Sequence, residues 1–338
     1  MPSEIERAIN DYRMRILAQE AAQMREMAQR WLQVENTLIS YVTALTYEIA
    51  ELRNAGKKIG QAKIEKLDSY KNMLVQSKEE IRKYNAWAAD LIANRQIAMT
   101  ALGIEGAADT IRAAYFNAGK VGAYFDLLPV EAVETMIGYA GDGTPLSKLL
   151  QSKYVETAMD ISAELIKSTA LGINPRDTAR SMLDMMAGNL QHALVVARTE
   201  QLRAYREASR QQMIASGVVD GYIRRCALNP LTCVACLALD GTEYPTDTLM
   251  EVHPNDRCFM QPKVKDLKPI EQMSGEAWFG QQTEDVQRGI LGNSYFDAWK
   301  SGKFEFRQLA RTTEHDVWGA TVRVTPLSEL IPTGRDGQ

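Results

Sequence analysis

Apolar residues in the first third of the chain recur at helical spacing. They step by four and three residues, which keeps one stripe on one side of a helix: Leu38, Val42, Leu45, Ile49 and Leu52. A second amphipathic run has the same character and carries Ile64, Leu67, Leu74, Ile81 and Trp87. Between the two runs, the segment NAGKKIG, with Gly56 and Gly60, marks a corner. The pattern predicts an antiparallel helical hairpin or short bundle over residues 5–100.

Helix-breaking residues are scarce across the same stretch. No proline lies between Pro2 and Pro129, and Gly56 and Gly60 are the only glycines before Gly103. We therefore assign residues 1–105 to a helical arm. The sequence leaves open whether this arm packs on itself, forms an oligomer or docks on a larger assembly.

Two helix-start signals organise the middle of the chain. Thr144-Pro145 and Asn174-Pro175 each place a good N-cap residue before a proline at the first helical position. The second helix is predicted to end at Gly217, the kind of residue that commonly follows a helix. Residues 106–217 are therefore predicted to form a helical middle domain.

Strand and turn signals replace the helical pattern after Gly217. The segment GYIRRCAL is typical of a strand, and Asp240-Gly241 is a strong hairpin signal between Leu239 and Tyr244. Further on, aromatic and apolar residues are dense enough to form a small core: Trp278, Phe279, Ile290, Leu291, Tyr295, Phe296 and Trp299. We predict an α+β module over residues 218–332 and a disordered tail over 333–338. The fold class is mainly α with this small C-terminal module.

Composition narrows the class of protein. The chain has 338 residues, 45% hydrophobic and 24% charged, which is typical of a soluble globular protein with two or three domains. Its net charge of −4 argues against a protein that works chiefly by coating nucleic acid, because binding to phosphates requires positive charge. A local stripe of basic residues is still compatible with this composition. No apolar run reaches the length of a membrane span, and the N-terminal segment is charged. We expect no membrane span, and a protein that begins in the cytoplasm.

The four cysteines lie together in one short stretch, from Cys226 to Cys258. Cys233 and Cys236 form a C-x-x-C pair, and His253 and Cys258 return after a loop of sixteen residues. Thiolate and imidazole groups at this spacing predict a tetrahedral zinc site, and because four protein ligands fill it, the zinc is expected to be structural. Two other interpretations remain, namely ordinary reduced cysteines or a redox pair. Cys226 is interpreted as a buried apolar residue.

Three arginines share one face of the long helix that ends at Gly217. Arg203, Arg206 and Arg210 could contact phosphate or dock a partner, which would give weak DNA contact. The alternative is a solvated face tied by pairs with acidic neighbours such as Glu207.

We find no sequence motif of a known enzyme class. A nucleophile elbow, a phosphate-binding loop, a dinucleotide fingerprint and an H-E-x-x-H helix are all missing from the sequence. His315, in TTEHDVW, has carboxylate neighbours that could belong to a metal-dependent site acting on DNA, but the sequence identifies no distant partners for it. We predict that the chain is not an enzyme.

Several motifs occur together in the order of a known family. The run from Ala197 to Arg225 is followed by the cysteine pair, Asp240-Gly241 and the segment from His253 to Cys258. The order continues with Trp278-Phe279, Gln282, Gln287, Ile290-Leu291-Gly292, Trp299-Lys300, Gly302 and Trp318-Gly319. Over roughly Leu128 to Leu327 the chain resembles the Mu F-like phage minor head, or head morphogenesis, proteins. This chain departs from that family at Asp256, where the family often has a cysteine, so Cys258 is expected to be the fourth ligand.

The resemblance implies a structural role in a tailed phage or prophage. The expected protein is a minor capsid component associated with the portal, and with scaffold or major capsid protein as further candidate partners. It would act in procapsid assembly, DNA packaging or DNA ejection. Its location would be the virion, in the head interior or at the portal vertex, and the host cytoplasm during assembly. The alternatives are an internal DNA-binding head protein and a metal-dependent enzyme acting on DNA.

Overall fold

The computed structural model describes residues 4–57, 59–120, 125–140, 143–171, 173–268, 272–315 and 318–331. The chain is mainly helical, with small antiparallel sheets in its C-terminal part. The predicted mainly α fold with a small strand-containing C-terminal region is therefore confirmed. The predicted tail, 333–338, lies outside the described residues.

The described residues of the N-terminal two thirds of the chain are mainly helical. The bounds of the helices are α1 (Glu4–Asn54), α2 (Gln61–Ile64), α3 (Asp68–Asn117), a 3₁₀ helix (Val130–Met136), α4 (Leu146–Leu171) and α5 (Pro175–Ser216). The Asn174 carbonyl accepts hydrogen bonds from the first free N–H groups of α5, and Gly217 ends it with φ +68°. The second helix of the arm is longer than predicted, because α3 continues to Asn117 rather than ending near residue 100.

The chain forms two compact units that are each assembled from separated stretches. The first unit comprises Met1–Ile16, Gln96–Ile137 and Gln201–Gln338, and the second comprises Leu17–Arg95 and Gly138–Glu200. Helices α1, α3 and α5 each contribute residues to both units. The units therefore do not follow the continuous ranges 1–105, 106–217 and 218–332.

The second unit is a helical bundle. Helices α1 and α3 run antiparallel, with Trp31 edge-on to Tyr84 at 5.0 Å between ring centroids and Arg95 paired with Glu26 at 3.2 Å. His192 of α5 contacts the carbonyl oxygen of Leu149 in α4 at 3.1 Å. This histidine is therefore engaged within the bundle.

The first unit contains the strand-rich C-terminal part. Its elements are β1 (Val219–Arg225), α6 (Val234–Leu239), β2 (Glu243–Pro245), β3 (Phe259–Val264), α7 (Gly275–Gly280), α8 (Glu284–Leu291), α9 (Asn293–Lys300), a 3₁₀ helix (Phe306–Leu309), β4 (Ala310–His315), β5 (Gly319–Val324) and α10 (Leu327–Leu330). One antiparallel sheet has the order β2-β1-β3, and β4 pairs with β5 in the other.

Strand β1 is the centre of the three-stranded sheet and is buried at every position except Asp220. Burial on both faces explains why its sequence does not alternate cleanly between apolar and polar residues. Gly221 permits the close approach of β2, since a Cβ there would meet the carbonyl oxygen of Tyr244 at 2.5 Å. The two arginines that end β1, Arg224 and Arg225, are both buried.

Aromatic side chains form the core beneath the sheet. Phe279 packs against Phe306 at 4.9 Å and against Trp299 at 5.2 Å between ring centroids. The same core includes Cys236 and Cys258, so the cysteine-rich loops and the aromatic helices belong to one packed structure. The predicted small core of the C-terminal part is present, and it also takes in Ile111 of α3.

None of the helices in the described ranges combines the length and apolar character needed to cross a membrane.

Candidate metal centre

The cysteine pair lies at the start of a short helix. Asn229 forms the preceding turn, in which its carbonyl oxygen accepts from the N–H of Thr232 at 2.9 Å. Cys233 is the N-cap of α6, and its Sγ accepts a hydrogen bond from the N–H of Cys236 at 3.3 Å. One helical turn therefore aims both sulfurs in the same direction. The hairpin predicted around Asp240-Gly241 is wrong on its first side, because Leu237 and Leu239 lie on this helix rather than on a strand.

A second loop returns to the cysteine pair between β2 and β3. Val252 is anchored by a bridge to Thr321, and the next residue is His253. The chain then turns at Asn255, with φ +67°, and the N–H of Asp256 donates to the carbonyl oxygen of His253 at 2.9 Å. Cys258 ends this turn directly before β3. The tight turn places a histidine and a cysteine five positions apart on the same side of the loop.

The predicted ligand residues converge. The Nε2 atom of His253 lies 3.2 Å from the Sγ of Cys233 and 3.2 Å from the Sγ of Cys236. Cys236 also groups with Cys258 and Asp256, whose ligand atoms lie within 4.8 Å of one another. Because the two groups share Cys236, the cluster of Cys233, Cys236, His253 and Cys258 could hold a metal ion.

The donor atoms are of the kind that a tetrahedral zinc site uses, and the two sulfur–nitrogen distances at His253 can be compared with those of such a site. Bond lengths of about 2.3 Å to sulfur and 2.0–2.1 Å to nitrogen imply a sulfur–nitrogen separation of about 3.6 Å across a tetrahedron. The observed 3.2 Å is a few tenths of an ångström shorter. The Nδ1 atom of His253 lies 2.8 Å from the Pro254 carbonyl oxygen, which can only accept, so in the neutral imidazole Nδ1 carries the proton and Nε2 has the lone pair. This tautomer is the one that a metal at Nε2 requires.

The protein environment shifts the pKa values of Cys233 and Cys236, the two thiols of the C-x-x-C pair, in opposite directions. Hydrogen bonding with Cys236, and then with His253, outweighs burial and lowers the pKa of Cys233 to about 5. The adjacent sulfurs of Cys233 and Cys258, together with burial, raise the pKa of Cys236. Burial opposes the charged form of His253, but Cys233 and Asp256 outweigh it and raise the pKa of the imidazole. Without a cation, the cluster therefore shares protons among its sulfurs and imidazole.

Asp256, where the sequence departs from the resemblance described above, is hydrogen-bonded on both carboxylate oxygens. Its Oδ1 accepts from the N–H of Cys258 at 2.6 Å, and its Oδ2 accepts from Arg224 at 2.8 Å. Burial tends to raise its pKa, but Arg224 and Arg206 outweigh that effect and lower it. Asp256 therefore orients the turn that carries Cys258, and with Cys236 and Cys258 it forms the second group of possible ligands.

Cys226 lies apart from the donor set. The residue is buried directly after β1, and its N–H donates to Asp240 Oδ1 at 2.7 Å. Burial, followed by the nearby Asp240 carboxylate, raises the pKa of its thiol. The two ligand groups found among the described residues do not include it.

The three arginines of α5 make contacts inside the first unit. Arg206 is buried, and its Nη1 donates to the carbonyl oxygen of Asp256 at 3.0 Å. Arg210 donates to both carboxylate oxygens of Glu207 and to the carbonyl oxygen of Thr246 at 2.8 Å. Arg203 lies 3.5 Å from the Met136 carbonyl oxygen. Two arginines of the stripe predicted to contact phosphate or a partner, Arg206 and Arg210, therefore donate hydrogen bonds within the protein.

His315 lies at the end of β4, where it pairs with Gly319 of β5. Its Nδ1 is 3.4 Å from the N–H of Trp318. Both metal-ligand groups found in the described ranges belong to the cysteine-rich loops, and neither includes His315.

Comparison with known proteins yielded no match among family models, curated proteins or solved structures.

Sequence reasoning missed one residue that is central to the site, Arg224. Its side chain is completely buried, and its guanidinium reaches the Glu251 carbonyl oxygen, the Asp256 carboxylate and the sulfurs of Cys236 and Cys258. The available signal was the pair Arg224-Arg225 at the end of a strand directly before a cysteine. Arginine is rarely buried in a strand without a fixed anionic partner.

Proposed function

We propose that this chain is a structural minor capsid, or head morphogenesis, protein of a tailed phage or prophage, with a zinc ion holding its C-terminal part together. The observation that carries the proposal is that the motifs on which the resemblance is based contribute residues to one core. Cys236, Cys258, Phe279 and Leu291 belong to a single core. Motifs that are far apart in sequence thus pack together in space, as expected if they define one structural unit.

Two further motif residues support the same interpretation. The side-chain amide of Gln287 donates to the carbonyl oxygen of Phe279 at 2.9 Å, and that of Gln282 donates to Trp278 at 2.9 Å. Both glutamines therefore serve the aromatic core by satisfying main-chain carbonyl groups. Their role is structural, which fits a protein that supplies a rigid surface.

Zinc is the proposed ion because of the donor set. Three sulfurs and one imidazole nitrogen are ligands that zinc prefers, and four protein donors leave no position for a catalytic water. Cys236 and Cys258 are buried, as expected for a closed structural site. The ion would cross-link the turn after β1 and the loop before β3, because Cys233 and Cys258 lie on these two segments.

The helical arm is the proposed docking element for the portal. In the second unit, α1 exposes Leu32, Ile39 and Tyr47, which lie toward one side of the helix at near-helical spacing. Exposed apolar residues on a helix face favour contact with another protein surface. Scaffold or major capsid protein is a further candidate for this contact.

The test is performed in the phage or prophage genome that encodes the chain. We expect the polypeptide in purified DNA-filled heads, co-sedimentation of the purified chain with the portal protein, and a loss of infectious particles on deletion. Cys236→Ser should reproduce the defect, whereas Cys226→Ala serves as the matched cysteine control. The proposal fails if heads lack the polypeptide, the portal does not bind it and deletion leaves the particle yield unchanged. Nuclease activity that depends on His315, or salt-sensitive DNA binding, would favour the alternatives.

A further inference from the structure

We propose that Arg224 is a positioning residue for the bound metal, whose guanidinium charge balances the thiolates and sets the electron density on Cys236 and Cys258. The inference rests on the proposed metal centre, and it concerns this chain's own residues around that ion. Nothing in the cysteine spacing or in the resemblance assigns a role to Arg224.

The first observation is the contact set of the guanidinium. One nitrogen, Nη2, lies 3.4 Å from the Sγ of Cys236, 3.5 Å from the Sγ of Cys258 and 2.8 Å from Asp256 Oδ2. The other terminal nitrogen donates to the Glu251 carbonyl oxygen. Nη2 has two hydrogens for these three acceptors, so its N–H groups are shared between Asp256 and the two sulfurs, and a single arginine contacts two of the four proposed donors.

The second observation is burial. Arg224 and Asp256 side chains are both 0% exposed, so neither charge is screened by water. An isolated buried ion pair contributes little stability, because desolvation opposes the attraction between its charges. Arg224 of this pair also contacts two of the proposed metal ligands, so a role at the metal site can account for the burial of the pair. The third buried ion nearby is Arg206, which donates to the main chain at Asp256 and Cys258.

The third observation is the balance of charge. A divalent cation held by three thiolates and a neutral imidazole has one net negative charge, and Asp256 adds another. Arg224 and Arg206 supply two positive charges in the same buried region. The buried groups are thus neutral as a set when a divalent cation is bound to three thiolates. Without the cation, the same groups are balanced only if sulfurs retain protons.

The chemical consequence concerns the thiolates. A positive N–H donor at a metal-bound sulfur withdraws electron density, which lowers the sulfur's reactivity toward electrophiles and stabilises its lone pairs. Removal of the guanidinium should therefore make Cys236 and Cys258 more reactive. It should also weaken metal binding, because the buried thiolates and Asp256 would lose one of the two positive charges that balance them. In a cobalt(II)-loaded protein, the sulfur-to-cobalt charge-transfer band should move to longer wavelength, because the sulfur lone pairs rise in energy.

Arg225 provides a matched control one position away. It is also a buried arginine of β1, but its guanidinium bonds to Gln261 at 2.9 Å and faces Asp240 at 3.6 Å. Arg225→Met therefore removes a buried charge from the same strand without touching a sulfur. A general effect of losing a buried arginine would appear in both variants, whereas an effect through the metal would appear only at Arg224.

The experiment measures cobalt(II) binding to the full chain by chelator competition and records the charge-transfer band. Removal of a group that orients metal ligands typically weakens metal affinity about 10–100-fold. We expect Arg224→Met to show that loss and the shift to longer wavelength. Arg225→Met should retain the affinity and the band, and Arg224→Lys should recover most of both. Equal affinities and bands in Arg224→Met and wild type would overturn the inference.

Folding of the variants is checked by circular dichroism against wild-type protein, both before and after the metal is added. If Arg224→Met does not fold, the lysine variant decides, because it retains the charge near both sulfurs. A wild-type band in Arg224→Lys supports the inference, and a band or affinity like that of a ligand variant such as Cys236→Ser overturns it. If wild-type protein binds no cobalt, the metal centre itself fails. Failure of the phage function alone leaves this measurement unaffected, so the two outcomes are distinguishable.

Discussion

The carbonyl oxygen of Leu237 lies 2.2 Å from the position that a Cβ on Gly275 would occupy. Helix α6, which carries Cys236, and helix α7, which carries Phe279, therefore meet through main-chain atoms at this point. A backbone oxygen has no rotamer that would let it move away, so the two helices can pack this closely only with glycine at 275.

Gly275→Ala should destabilise the protein because the added methyl group would push α7 away from α6. Overpacking of this kind typically costs about 1–3 kcal/mol in the free energy of unfolding, which chemical denaturation would measure. Gly280→Ala, at the other end of α7, has nothing within 4 Å of its Cβ and serves as the control. Equal stabilities of the two variants would show that the close contact at 275 is absent.

Gln287→Met should also destabilise the first unit, because it leaves the Phe279 carbonyl oxygen without its side-chain donor. The carbonyl oxygen keeps the main-chain N–H of Gln282 as a donor at 3.1 Å, so the change removes one hydrogen bond, which typically contributes about 0.5–1.5 kcal/mol. Gln282→Met removes a bond of the same 2.9 Å length at a less buried residue, so a smaller loss is expected. A thermal melt of both variants gives the comparison, and a larger loss at Gln282 would contradict it.

Cys236→Ser should abolish metal binding, because Cys236 is the sulfur shared by the two ligand groups. Cys226→Ala should retain the metal, since the Cys226 N–H contacts Asp240 and its sulfur belongs to neither group. Metal content per chain after gel filtration is the measurement. Retention of one zinc by Cys236→Ser, or its loss from Cys226→Ala, would show that the donor set is different.

Metal removal should lower the melting temperature and should do so more readily in acid. Protons and the metal compete for the thiolates and for His253, so binding is complete at neutral pH and is lost as the pH falls. The stability that the metal provides follows the same direction. Melting curves with and without a strong chelator, recorded at several pH values, test this. Curves that coincide at neutral pH would contradict a structural metal.

The sequence predicted the helices well because their signals are local. Apolar residues at helical spacing, such as Leu38 and Val42, are buried in α1, and α5 begins at Asn174-Pro175 as expected. The end of α3 was missed because the return of glycine at Gly103 was taken to end the helix, whereas Gly103 lies inside α3, where a Cβ would meet the main-chain oxygen of Tyr205 at 2.4 Å. The two compact units are assembled by packing among distant parts of long helices, and no local pattern in the sequence records that packing.

The site was predicted in part for a similar reason. Cysteine spacing and one histidine were enough to indicate the ligands, because few other residues in the chain can bind a soft metal. The helix at Cys233 was missed since Asp240-Gly241 is a strong hairpin signal, whereas the N-cap role of a cysteine sulfur is rare. The role of Arg224 depends on the meeting of β1 with the loop at Asp256, a contact between residues far apart in sequence.

X-ray absorption at the zinc edge of the purified full-length chain tests the central claim most directly. The account predicts one zinc per chain, with three sulfur neighbours at about 2.3 Å and one nitrogen neighbour at about 2.0–2.1 Å. A chain purified without any bound metal, or a coordination shell made only of nitrogen and oxygen, would contradict the closed site of Cys233, Cys236, His253 and Cys258.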